Sequence, residues 1–165
     1  MTAITEEHSG EAQARRLERV REQLTTLLRQ PEATQRLRAS RDENEWSVMQ
    51  ALGHMVEMIP YWLRHCQTLM AATTEPPRFG RTLDAPERLA GVERGATGEL
   101  NELLRALNDE VQTAANAIRR MSAAERGRKG VHPKHGEMTV AEVVETFIVA
   151  HAEEHLAQVQ AALRN

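Results

Sequence analysis

The chain has 165 residues, 24 acidic against 21 basic side chains for a formal net charge of −3, and a composition 41% hydrophobic and 27% charged. That length suits one domain with a proper core, the acidic balance argues against nucleic acid as the main partner, and nine glycines with six prolines leave no case for general disorder. No apolar run approaches the ~20 residues that span a bilayer, "MTAITEEHSGEAQARR" lacks the apolar stretch of a secretory signal, and the single cysteine, Cys66, excludes an internal disulfide.

The expectation is a cytoplasmic, soluble, single domain over 1–165, with 1–9 a flexible N-terminus. Helix formers dominate, while runs of Val, Ile, Thr and aromatic residues are scarce. A first helix is predicted from about Gly10 to Gln30, because Leu17, Val20, Leu24, Leu27 and Leu28 recur at three-and-four spacing. Pro31 ends it. The second opens at "WSVMQ", where Ser47 and Gln50 form a capping box, and runs to about Ala72 before Pro76 and Pro77.

The third helix spans about Thr97 to Met121 on a stripe of Leu100, Leu103, Leu104, Leu107, Val111, Ala114, Ala115 and Ile118. The fourth starts at "TVAE", with Thr139 and Glu142 as a second capping box, and reaches about Leu163. Between the second and third helices lie about two dozen residues, with one helical turn expected in "APERLAG". A link of that length lets those helices run parallel. The predicted class is all-α: a four-helix bundle with one long crossover between helices 2 and 3. The plainer alternative is an up-down-up-down bundle with a disordered loop.

"IVAHAEEHLAQVQAALRN" places His151 and His155 four apart on the stripe of Val140, Val143, Val144 and Phe147. With the crossover, the start of the second helix and the end of the fourth share one end of the bundle. His54 lies roughly 10 Å down from Ser47, and the histidine pair roughly 12–18 Å from Leu163, at 1.5 Å per residue. Three imidazoles from two helices can hold one divalent ion and leave a coordination position open for water or substrate. Imidazole suits zinc, nickel and iron alike. Two histidines four apart are as a rule solvated or packed without metal; the third at matching depth is what favours an ion.

Glu57 and Glu154, each three residues beyond a histidine, are candidates to orient a ligand's free ring nitrogen, although a solvated helix face is the plainer reading of both. A ferritin-type site needs Glu-x-x-His, and Ala51, Ile148 and Ala152 stand at the required positions, so that site is excluded. Pro60 removes one hydrogen bond inside the second helix. Cys66, about 18 Å from His54 along the helix, reads as a core thiol. His65 reads as a surface histidine, "ERGRKGVHPKHG" as a solvated loop, and Trp46 as a packing residue able to line a pocket.

"WSVMQALGHMVEMIPYW", with its Trp-Ser opening and its histidine, resembles the second helix of the DinB-like superfamily of metal-dependent bundle proteins. "HPKHGEMTVAEVVETFIVAHAEEHLAQV" resembles that family's closing turn and Thr-capped helix ending in His-x-x-x-His and Leu. The resemblance implies a right-handed bundle with parallel second and third helices, a homodimer, and a metal on His54, His151 and His155. It further implies a small-molecule substrate: members include transferases and isomerases using low-molecular-weight thiols, and hydrolases. One departure stands out. The residue after the first histidine of the last helix is often acidic in the family and is Ala152 here. The expected function is metal-dependent activation of a low-molecular-weight thiol or of water, with no nucleic-acid or membrane partner. The alternative is a non-catalytic metal-binding or dimer-forming bundle in a stress response.

Overall fold

A computed structural model describes residues 8–40 and 42–164. The Ser9 hydroxyl accepts the Ala12 N–H at 3.1 Å and starts α1 (Gly10–Leu28), whose buried face is Leu17, Val20, Leu24 and Leu28. Ser9 is therefore a helix cap, and residues 1–7 of the expected flexible terminus lie outside the described residues. Pro31 ends α1 as expected and opens a 3-10 stretch over Pro31–Arg36. At α2 (Val48–Ala71) both halves of the capping box form: Gln50 N–H donates to Ser47 Oγ at 3.2 Å, and Ser47 N–H to Gln50 Oε1 at 2.8 Å. The helix continues through Pro60.

The crossover holds α3 (Pro86–Thr97), about three turns where one was expected. Then come α4 (Leu100–Arg120), α5 (Ala123–Arg126), β1 (Lys129–His132), β2 (Gly136–Thr139) and α6 (Val140–Val143). A π-helical stretch, Val144–Val149, joins α6 to α7 (Ala150–Arg164), so the expected fourth helix is α6, this stretch and α7 in succession. At its start the Thr139 hydroxyl accepts the Glu142 N–H at 3.1 Å and donates to the Glu142 carboxylate at 3.0 Å. The cap forms, but the reciprocal half of the box does not.

Cross-helix contacts fix the directions. Arg119, near the end of α4, pairs with Glu11 and Glu18 at the start of α1, so α1 and α4 are antiparallel. Gln13 and Arg16 of α1 bond Ala141 and Glu145 while Arg36 reaches the Leu163 carbonyl, so α1 and the last helix run the same way. The end of α2 meets the start of the last helix through Arg128, which donates to the Ala72 carbonyl at 2.9 Å and whose own carbonyl accepts the Val140 N–H at 2.8 Å, while His54 near the start of α2 meets His151 and His155 of α7. Hence α2 and α4 both oppose the last helix and are parallel to one another. This is the four-helix bundle with a long crossover.

Two segments depart from expectation. "ERGRKGVHPKHG" is not a solvated loop: β1 and β2 pair antiparallel, Lys129 opposite Thr139 and His132 opposite Gly136. His132 is buried, and its Nδ1 accepts the Lys134 and His135 N–H groups at 3.1 and 3.2 Å, tying the turn to the side chain. Gly136 closes the turn at φ +71°, a left-handed backbone that glycine adopts without strain. The crossover is anchored here too, since Phe79 N–H donates to the Val131 carbonyl and Val131 N–H to the Pro77 carbonyl, at 3.1 and 2.9 Å.

The second departure is the way α3 lies on α2. Gly53 meets Gly91 and Gly95, and a Cβ on Gly95 would collide with the Met49 carbonyl, so the two backbones touch without side chains between them. That contact sits one residue from His54. Among the described residues, no helix is long and apolar enough to cross a membrane.

Candidate metal centre

His54 of α2 and His151 and His155 of α7 converge, each offering a ring nitrogen, with all three atoms within 4.8 Å of one another. His54 is 1% exposed and His155 6% exposed, while His151 is half-buried. Both nitrogens of His54 and Nε2 of His155 are buried without a hydrogen-bond partner among the described residues. Buried polar atoms as a rule find a partner, because leaving one without costs about 1–3 kcal/mol. One nitrogen from each ring makes a three-imidazole donor set of the kind a divalent ion uses, and two of those rings, His54 and His155, hold orphaned nitrogens, so the residues present fit the ion that their spacing implies.

Burial sets the protonation of these rings. Desolvation, with His155 and His151 adding to it, pushes the His54 pKa down to about 2. Burial and then His155 lower His151 to about 4, against a hydrogen bond to the Phe147 backbone that favours the charged form. Burial likewise lowers His155, opposed by its bond to Gln158. All three are neutral near pH 7, the form in which imidazole binds a metal.

Two rings are held from behind. His155 Nδ1 lies 2.8 Å from Gln158 Oε1; an amide oxygen only accepts, so Nδ1 carries the proton and Nε2 keeps its lone pair turned to the cluster. His151 leans on the Phe147 carbonyl, inside the π-helical stretch. There Ala150 N–H bonds the Glu145 carbonyl, five residues back, which turns the following stripe relative to the one before. Arg16 of α1 fixes this stretch by bonding Glu145 at 2.8 and 2.9 Å and Glu153 at 2.6 Å. The helix irregularity that aims His151 is thus clamped from a neighbouring helix.

Neither expected carboxylate touches a ring. Glu57 is taken by Arg81 in a two-pronged pair at 2.8 and 2.5 Å, and Glu154 is exposed and acts on His155 only through its charge. Gln158 has the orienting contact instead. It stands three residues beyond His155, the same spacing that singled out the two glutamates, and an amide went unconsidered there. Ala152 is fully buried, so the position that is often acidic in the family is packed into the core here.

Trp46 covers the cluster, with its ring centroid 4.8 Å from His54 and 5.9 Å from His155. It also lines a cavity of about 550 Å³ that reaches His155, Gln158, Ser40, Asn44 and Arg88. Cys66 is a buried free thiol whose pKa burial pushes up to about 12, which makes it inert. His65 is half-buried against Tyr61, Trp62 and Phe79 rather than on the surface.

Fold and site define a helical bundle with a three-histidine cluster at one end. The family model of the DinB superfamily matches residues 11–159, and the chain belongs to that superfamily. Among solved structures, it resembles YfiT from Bacillus subtilis, described as a probable metal-dependent hydrolase with an unusual four-helix bundle topology. The TM-score is 0.74 at 17% identity, over 99% of this chain and 90% of that one, a likeness of fold. Comparison with curated proteins finds no match.

Proposed function

We propose that the protein is a metal-dependent enzyme in which His54, His151 and His155 hold one divalent ion, zinc, nickel or iron. It would activate a low-molecular-weight thiol for transfer to an electrophile, or water for hydrolysis. The observation that carries this reading is the set of orphaned nitrogens on His54 and His155 inside a cluster spanning 4.8 Å. Bound there, the ion supplies Lewis acidity, lowering the pKa of a thiol or water that reaches it and polarising a substrate atom. The chain's own residues do the rest. Gln158 and the Phe147 carbonyl hold two rings in the metal-binding orientation. Trp46 shields the cluster from bulk water, and the cavity beside His155 admits a small molecule. A cytoplasmic location and a homodimer belong to the same proposal.

A non-catalytic metal-binding bundle is the second reading. It draws on the lack, among the described residues, of a free carboxylate at the rings, Glu57 being paired and Glu154 exposed. Assays on protein loaded with each ion separate the two, using thiol transfer to 1-chloro-2,4-dinitrobenzene and hydrolysis of p-nitrophenyl acetate. Metal-dependent turnover in one assay, lowered at least ~100-fold by His151→Ala, is expected. Metal-bound protein with no turnover above the His151→Ala background in either would leave the non-catalytic reading.

A further inference from the structure

Two arginines line the histidine cavity and are unused by the proposed chemistry: Arg36 is exposed and donates to the Leu163 carbonyl, while Arg88 is half-buried beside the cluster. It shares the α3 stripe with Gly91 and Gly95, three and seven residues on, which seat that helix against α2, so its side chain leaves α3 toward the site. The guanidinium carbon lies over Trp46, 5.0 Å from the ring centroid, on the same indole that covers His54 and His155. It also lines the cavity.

Two crossover arginines act on the cluster, and their states differ. Arg81 lies over Tyr61 and has both terminal nitrogens on Glu57. Arg88 donates to the Leu83 carbonyl at 2.7 Å, and among the described residues no carboxylate pairs with it. Glu45 also lines the cavity but is exposed and forms no ion pair with it. With its carbon over the indole and Nη1 on the Leu83 carbonyl, the guanidinium keeps further N–H groups to offer, and a planar fork of such donors is what takes a carboxylate. Burial and the neighbouring Arg81 both disfavour the Arg88 charge, a cost that an incoming anion would offset.

We propose that this cavity is a binding subsite for a carboxylate-bearing small molecule, with Arg88 as its anchoring group beside the three histidines. Resting on the metal-site reading, it narrows the substrate to molecules that carry a carboxylate apart from the atom that meets the ion. A thiol or an electrophile with a carboxylic acid fits; a neutral one of the same size is disfavoured.

The test uses 15N-labelled protein, with and without one equivalent of zinc, titrated with succinate and with neutral succinamide. The sequence has two tryptophans, so the indole N–H signals of Trp46 and Trp62 report separately. Succinate should shift the Trp46 signal saturably while Trp62 stays in place, and succinamide should leave both unmoved. Arg88→Gln should weaken succinate binding about tenfold, the worth of one charge-assisted hydrogen bond, and Arg88→Lys should restore part of it. An unmoved Trp62 signal shows that each variant is folded. Equal responses to the two probes, or unchanged succinate affinity in Arg88→Gln, would overturn the subsite. Succinate binding through Arg88 in protein that takes no zinc overturns the metal reading alone; zinc binding without succinate binding overturns the subsite alone.

Discussion

Gly95→Ala should destabilise the protein by about 2 kcal/mol, although alanine is the better helix former. Inside α3 the exchange by itself favours the helix by about 1 kcal/mol. Against that, the new methyl group meets the Met49 carbonyl, a backbone atom that no rotamer change can remove. Overpacking of this kind costs about 1–3 kcal/mol, occasionally more, and a collision between two backbones sits at or beyond the upper end. The net loss lowers the melting temperature by about 4–8 °C for a chain of this length. Gly127→Ala is the control. Its Cβ meets nothing nearer than 3.5 Å and its backbone is ordinary right-handed, so its change should stay within about 0.5 kcal/mol. Calorimetry of the two variants decides the matter; a Gly95→Ala protein as stable as wild type would mean that α3 is not seated on α2 through these glycines.

His54→Leu should stabilise the metal-free protein by about 1–3 kcal/mol while abolishing metal binding. His54 is 1% exposed with both ring nitrogens unpartnered. An unsatisfied buried polar atom costs about 1–3 kcal/mol, and leucine fills a similar volume with no polar atom at all. The cost makes sense only if the wild-type ring is kept for what it binds; a site held at the expense of stability is the usual sign of function. Chemical denaturation after chelation measures the difference. A His54→Leu protein less stable than metal-free wild type would make His54 a packing residue.

Much of this was legible in the sequence, for reasons that differ by element. The long helices show themselves through leucine and valine stripes, and the Ser47–Gln50 box marks the start of α2 to the residue, because caps and periodicity are local signals. The crossover length was readable and the pairing inside it was not. Gly91 and Gly95 weaken the local case for α3, yet those same glycines let it dock on α2, a gain that exists only in the folded molecule. The hairpin hid for a similar reason. Four-residue strands containing glycine and histidine have little propensity of their own, and they form where Phe79 and Leu69 pack over Gly130.

At the site, the meeting of His54, His151 and His155 followed from helix rise and chain direction alone. What orients the rings did not. Glu57 faces Arg81 because of where the crossover runs, and Arg88 reaches Trp46 from a helix whose length the sequence understated. The π-helical stretch that aims His151 has no sequence signature; it is held by Arg16 of α1, more than a hundred residues away in the chain.

The central claim is that three histidines hold one ion, and elemental analysis of untagged protein tests it most directly. Wild type should carry about one equivalent of zinc, nickel or iron, on the one-ion reading of a three-ligand site, and His54→Ala and His151→Ala should each lose it while staying folded. Wild-type protein that remains metal-free after incubation with these ions, yet is folded, would contradict the account and return the three rings to the core as packing.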